Sequence, residues 1–401
     1  MQTRGGWGKL GALAPFFGAN VLFGAGLFAH AFLYNFYLDA LDFGEGAMGV
    51  AAASLTAGGL LALAPAGLAL DRFGSRVVYL GAVALAACGL ALGAWAQRPA
   101  MVFGAAVLAG LGTASWRVAM GPVLMERAGP ELRSRAFSWN VALLLASGSL
   151  WTALAGSLSA WAGGGVSSLQ GIRVALWLGA AGTALAGVAF LLLPGQERGV
   201  AAAHRTAEPG VVRKGLVLPR GTATLIAGVF VWMLGAALAL PFFNLYFQRV
   251  HAMSVEDIGL VFAAAQAVTA LAVFGGGELA QRWGPRRAFG VWAALLPLAL
   301  LALVLGPAAW LAVSLYAVQG ISSPATNPLL DEIVLEAAPP EQRGAASSWR
   351  NGATEASGLV GAGLGGVLLE RAGFGPLMAV AAAVGTLGAL VLMRAFSRRA
   401  R

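Results

Sequence analysis

Charge and cysteine are what this chain of 401 residues has least of. Only 11% of its residues are charged, roughly half of what a water-soluble domain of this length needs to cover its surface. Its one cysteine, Cys88, lies inside an apolar run, so no disulfide can form within the chain and a thiolate metal cluster is excluded. Histidine is nearly as scarce: His30, His204 and His251 stand far apart, without metal-ligand spacing and without a nucleophile beside them. A membrane-embedded enzyme is left without its chemistry. No Gly-x-x-x-x-Gly-Lys-Ser/Thr loop is present to cradle phosphates, so the chain itself cannot use ATP. No metal and no cofactor is implied.

What is abundant is apolar surface and glycine. Hydrophobic residues make up 59% of the chain and glycine contributes 57 positions. That much glycine would ruin soluble helices, whereas in a membrane small residues let helix backbones approach closely. Val77 to Ala96 is an uncharged, mostly apolar run, about 30 Å long as a helix and enough to cross a bilayer core. Apolar segments bounded by charge, Gly or Pro fall at about 12–38, 46–70, 77–96, 101–126, 135–162 and 173–194. Six more fall at about 221–248, 257–280, 288–308, 309–336, 343–369 and 374–394. Kinks are expected at Pro65, Pro122, Pro241, Pro297 and Pro328. Arg4 and Lys9 precede an apolar segment with no credible cleavage site, so that segment reads as a retained first helix. The expected fold is an all-α polytopic bundle of twelve spans.

The charges are sorted by side. Twelve spans put both termini together, with Arg72, Arg76, Arg127, Arg133, Arg135, the basic linker, Arg282, Arg286, Arg287, Arg343 and the terminal arginines. The opposite loops hold only Arg98, Arg173, Arg249 and Arg371, with Asp39, Asp42 and Glu45 in the first. Lys/Arg excess marks the cytoplasmic side, so both termini are expected in the cytoplasm of a cell's plasma or inner membrane. The net charge of +9 is thus a topology signal and no nucleic-acid partner is implied. The lipid bilayer is the implied surroundings.

Two loops repeat 210 positions apart. The first runs Gly67-Leu-Ala-Leu-Asp71-Arg72-Phe-Gly74-Ser-Arg76 and the second Gly277-Glu-Leu-Ala-Gln281-Arg282-Trp-Gly284-Pro-Arg286. Sliding the chain on itself by that interval aligns Phe32–Gly156 with Phe242–Gly366 without a gap. It pairs Pro130 with Pro340, Glu131 with Glu341, Arg133 with Arg343 and Trp139 with Trp349. Two parallel six-helix halves follow, 1–194 and 221–401, joined by a polar linker at 195–220. Parallel halves of this kind are a known transporter architecture. With the loop pattern Gly-x-x-x-Asp-Arg-x-Gly-x-Arg after the second span, and Pro-Glu-x-Arg after the fourth and tenth, the chain resembles the major facilitator superfamily over nearly its whole length.

The loop residues have physical roles. Gly67 is expected to permit a close helix contact, and Gly74 to make a tight reversal at positive φ. Asp71 can accept from the exposed N–H groups of a helix amino terminus. By the resemblance that partner is the eleventh span, which makes Asp71 a gate latch. The other reading has it merely ending its helix. Gln281 replaces it in the second copy, so that half lacks the charged latch, and Ser75 replaces a basic residue common in the family.

Ionisable groups at membrane depth are functional candidates by default. Arg117, Asp331, Arg350 and Glu355 are these. The repeat pairs Arg117 with Asn327 and Arg350 with Asn140, one Arg and one Asn swapped between halves. By the resemblance the fourth, fifth, tenth and eleventh spans border a central cavity, where the arginines hold an anionic or polar substrate group. The alternative is that each arginine reaches the interface or pairs with Asp331, Glu332 or Glu126 as a gate. Arg350 is about 10 Å inside its helix and within snorkelling reach, while Glu355 is about 18 Å inside and suits a proton carrier. His30, Asn20, Asn244 and Gln266 are further polar cavity candidates. Tyr34, Tyr37, Tyr246 and Phe247 read as an interfacial aromatic belt.

The expectation is a secondary transporter, monomeric and proton-coupled, that exports small amphiphilic compounds. The family's antiporter signature is missing: Trp151-Thr-Ala-Leu-Ala-Gly156 stands in its place. Uptake of a small organic anion, sugar or amino acid is the alternative. A sensor or scaffold without transport is the reading from a different class.

Overall fold

The computed structural model describes residues 13–128, 132–164, 168–193 and 218–398. Arg4, Lys9, Pro130, Glu131, His204, Arg399, Arg401 and the linker up to residue 217 lie outside the described residues. Thirteen α-helices and no strand occur among the described residues. They are α1 (Ala14–Asp39), α2 (Glu45–Phe73), α3 (Ser75–Trp95), α4 (Pro99–Arg127), α5 (Arg133–Ala162) and α6 (Leu169–Leu191). After the linker come α7 (Arg220–Ala239), α8 (Phe243–His251), α9 (Val255–Trp283), α10 (Pro285–Val304), α11 (Ala309–Ala337), α12 (Arg343–Ala372) and α13 (Phe374–Arg398). A 3-10 turn, Leu240–Phe242, joins α7 to α8 as one span. The thirteen helices therefore make twelve spans.

Local sequence explains the breaks. Pro241 falls in that 3-10 turn, where its missing N–H interrupts the ladder. Pro65, Pro122, Pro297, Pro324 and Pro328 stay inside continuous helices. Gly74 and Gly284 precede α3 and α10 at φ 80° and 79°, a region that a side chain resists. Eleven of the spans are long and apolar enough to cross a membrane. The remaining one, α11, has 29 residues but carries Gln319, Ser322, Ser323, Thr326, Asn327, Asp331 and Glu332. A helix this polar needs protein neighbours for those groups.

Contacts divide the chain into two compact units. One holds the described residues of Met1–Asp42, Ser54–Ala207 and Ser254–Ala263; the other holds those of Phe43–Ala53, Glu208–Met253 and Ala264–Arg401. Inside the first, α1 packs on α6 and α5, and α3 packs on α4 and α6. Inside the second, α7 packs on α13 and α12, and α10 packs on α11 and α13. The second set is the first one repeated, helix for helix. In the first core, Phe23 stacks on Trp116 with centroids 4.1 Å apart, and Tyr79 on Phe190 at 3.9 Å.

Each unit also includes the amino-terminal end of one helix from the other sequence half. In the second unit, α2 crosses α12 with Gly49 against Gly366: a Cβ on Gly49 would lie 2.9 Å from the Gly366 Cα. In the first, α9 crosses α5 with Gly259 against Gly156, where the same distance is 3.4 Å. The interval of 210 that relates the loops also relates these pairs, Gly49 to Gly259 and Gly156 to Gly366. Small residues at both crossings let the backbones meet.

Candidate functional site

Two polar clusters bring together Asn20 with Asn140, and Arg350 with Asn327 and Asp331. In the first unit the centre is Asn20 on α1, 2% exposed. Its Oδ1 accepts from the Tyr79 hydroxyl at 2.7 Å and from Trp116 Nε1 at 3.2 Å. Its Nδ2 donates to Asn140 Oδ1 at 2.6 Å. Asn140 Nδ2 in turn points to Met120 Sδ at 3.2 Å. One amide thus joins α1, α3, α4 and α5, using three of its four hydrogen-bonding positions. Such a network is rigid because breaking any member strands a polar group away from water.

The cluster in the second unit centres on Arg350 on α12, the repeat counterpart of Asn140, 6% exposed. Its Nη2 donates to the side-chain oxygen and the carbonyl of Asn327, at 2.8 and 3.1 Å. Its Nη1 donates to Asn351 Oδ1 at 3.0 Å and lies 3.2 Å from Asp331 Oδ1. The guanidinium therefore ties α12 to α11 through a neutral amide and one carboxylate. The Asp331 side chain is 46% exposed and that of Arg350 only 7%. Arg350 is thus paired with Asp331 across α12 and α11. The swapped Arg/Asn pattern thus serves two arrangements: Asn140 is bound to α1, while Arg350 is bound to α11.

The remaining candidates are dispersed. Arg117 is exposed on α4, with its Nη2 beside Gly59 of α2. Glu355 is half-buried on α12 and Gln266 half-buried on α9. Asn244 is buried, and its Oδ1 accepts from the backbone of Leu245. His30 is buried, stacks on Tyr34 at 3.9 Å and packs on α3 at Gly93. Asp71, Arg72, Gln281 and Arg282 are exposed. Arg76 Nη1 donates to the Leu193 carbonyl, and Ser75 donates to Glu126 at 2.5 Å. Gly277 lies within α9.

Two expectations need correction. Gly67 makes no close helix contact: a Cβ there would meet nothing within 4 Å. The close approaches of α2 are at Gly49, Gly58 and Gly59. The aromatic belt is also overturned. Tyr34, Tyr37, Tyr246 and Phe247 are all buried, because they stack on one another and on neighbouring helices. Tyr37 donates to the Ala96 carbonyl at 2.9 Å, and Tyr246 packs on His251 and Phe374.

Sequence reasoning names Asn20 but misses Tyr79 and Trp116 as its partners. It also misses the glycine crossings and the carboxylates near them. Glu45 pairs with Arg249, and Glu370 accepts from the Gly46 N–H at 3.2 Å. The interval of 210 is the available signal for the crossings, since it superposes both glycine pairs.

Eleven apolar spans and the polar α11, a repeated packing scheme and buried polar clusters define a multi-pass integral membrane protein built by duplication. The sequence profile of the Major Facilitator Superfamily matches residues 16–254 and 222–401, and the chain belongs to that superfamily of secondary transporters. No curated protein sequence matches it. Among solved structures it is similar to a mutant of the nucleoside transporter NupG, with 18% identity over 97% of this chain and 99% of that one, TM-score 0.77. It is similar to a bacterial homologue of the human lysosomal transporter Spinster, inward-facing and unoccupied, with 14% identity over 96% of each chain and TM-score 0.78. A D-xylose–proton symporter matches with 13% identity over 95% of this chain and 97% of that one, TM-score 0.75. Such low identities carry the fold and leave the cargo open.

Proposed function

We propose that this secondary transporter is a proton-coupled exporter of small amphiphilic compounds. It works by alternating access, as a monomer in the cell membrane, with both termini cytoplasmic and the halves divided at 195–220. The observation that carries the coupling is Arg350, held by Asn327 and by the half-exposed Asp331. A proton on Asp331 removes the only carboxylate of that cluster and leaves Asn327 to hold a buried guanidinium, which costs more than the paired state. Loading a proton therefore loosens α12 from α11. Glu355, on the same helix, is the second proton-carrying candidate. The mostly apolar spans suit cargo that is itself largely apolar.

Uptake of a small organic anion, sugar or amino acid is the second reading. Arg117 favours it, since an exposed guanidinium on α4 suits an anionic group. The test is flux in proteoliposomes with an imposed pH gradient, comparing the wild type with Glu355→Gln and Asp331→Asn. Proton-driven accumulation is lost in at least one variant while exchange without a gradient persists. If both variants accumulate substrate as the wild type does, with the same pH dependence, these carboxylates do not couple the transporter.

A further inference from the structure

His30, Tyr34 and Tyr37 recur on α1 at helical spacing and form one stripe along a single face of that helix. The stripe is stacked, His30 on Tyr34 with centroids 3.9 Å apart and Tyr34 on Tyr37 at 5.8 Å. The end of α3 lies against it. A Cβ on Gly93 would stand 3.4 Å from the Tyr34 hydroxyl and 3.5 Å from His30 Cε1, the ring carbon bonded to Nδ1. The Tyr37 hydroxyl donates to the Ala96 carbonyl at 2.9 Å. The start of α6 brings Arg173, whose Cζ lies 5.8 Å from the centre of the Tyr37 ring. Inside the first unit α1, α3 and α6 all pack on one another.

Four buried polar atoms at this junction have no hydrogen-bond partner among the described residues: His30 Nδ1, the Tyr34 hydroxyl, and Arg173 Nε and Nη2. His30 is 8% and Tyr34 7% exposed. No described carboxylate pairs with Arg173. Unpaired polar groups away from water are costly, and a guanidinium most of all. The fold does not require them. At the interval of 210, Tyr34, Tyr37 and Gly93 correspond to Asn244, Phe247 and Leu303. In the second unit Leu303 and Phe247 are buried apolar filling, and Asn244 accepts from the Leu245 N–H.

We propose that the junction of α1, α3 and α6 binds a small inorganic anion of the size of chloride. Arg173 has only donors to offer, the Tyr34 hydroxyl can donate, and a neutral imidazole can carry its proton on Nδ1. A single anion accepts from all of them and neutralises the guanidinium. A water molecule would accept from two at most and bring no charge. The helix ends meet directly here, which suits a single ion and leaves little space for an organic cargo. The ion is thus a structural part of the first unit, holding three helix ends together.

The test is thermal unfolding of the purified full-length protein in detergent, with sodium gluconate exchanged for sodium chloride or sodium bromide. Ionic strength is held constant so that screening does not change. The melting temperature rises saturably as either halide replaces gluconate. Tyr34→Phe removes one donor and little volume, and raises the halide concentration at half-effect at least about tenfold. Arg173→Gln abolishes the response; should that variant not fold, Tyr34→Phe decides alone. Arg98→Gln, which alters an exposed arginine between α3 and α4, leaves the response as in the wild type. No halide response, a wild-type midpoint in Tyr34→Phe, or a response lost in Arg98→Gln overturns the anion site and leaves water as the partner of these atoms.

Discussion

One methyl group at Gly49 measures how tightly α2 meets α12. A Cβ there would stand 2.5 Å from the Ala362 carbonyl oxygen, 2.9 Å from the Gly366 Cα and 3.1 Å from its nitrogen. All three are backbone atoms, so no side chain can swing away and the helices must separate. Overpacking of this kind costs about 1–3 kcal/mol, which lowers the population of the closed crossing by about 5- to 150-fold. At the related crossing the nearest atoms to a Cβ on Gly259 are the Thr152 carbonyl at 3.2 Å and the Gly156 Cα at 3.4 Å. The neighbours need give only a few tenths of an ångström, and the cost stays below about 1 kcal/mol. Gly67→Ala supplies the control, since open space surrounds it and only helix propensity changes there. The readout is a spin-label distance between cysteines introduced at Val50 and Arg371, or at Leu260 and Trp161 for the related crossing, in a protein whose exposed Cys88 has first been replaced. Gly49→Ala shifts that distribution to longer values, Gly259→Ala shifts its own crossing much less, and Gly67→Ala shifts neither. Equal responses at the two crossings, or none at Gly49, would refute the packing argument.

Other expectations follow from the clusters. Asn20→Ala strands Tyr79, Trp116 and Asn140 at once and destabilises the protein by about 2–5 kcal/mol, at about 0.6–1.7 kcal/mol for each of three membrane hydrogen bonds; thermal unfolding in detergent checks this, and Asn140→Ala costs less. Arg350→Gln loses the Asp331 pair and at least one Asn327 bond, and is expected to destabilise more than Asp331→Asn, because Asn still offers the arginine an acceptor. The same unfolding assay ranks them. Glu45→Gln, which breaks the partly exposed pair with Arg249, changes stability by at most about 1 kcal/mol, and the change shrinks further in high salt.

The spans and the duplication are legible in the sequence because hydropathy and the repeat interval depend only on position along the chain. Position alone also puts Arg350 and Asp331 within their helices and within reach of a pairing. Rotation about a helix axis is not legible. It separates the buried Tyr34 and Tyr246 from an interfacial belt, and it decides that Asn140 meets Asn20 on α1. Gly67 fails similarly, since a glycine in a known loop pattern says nothing of which helix passes beside it. Gly74 does not depend on a neighbour, and its positive φ is predictable from the chain reversal alone. The polar α11 lies between these cases: its length shows in the sequence, but its burial comes from α10 and α12.

Transport itself is tested most directly by flux. Purified protein in proteoliposomes, given a pH gradient and a library of amphiphiles, nucleosides, sugars and amino acids, should move at least one class of compound uphill. The movement should stop when the gradient is collapsed, and Asp331→Asn or Glu355→Gln should uncouple it. If no compound moves and none raises the unfolding temperature of the protein, the secondary-transporter account is contradicted.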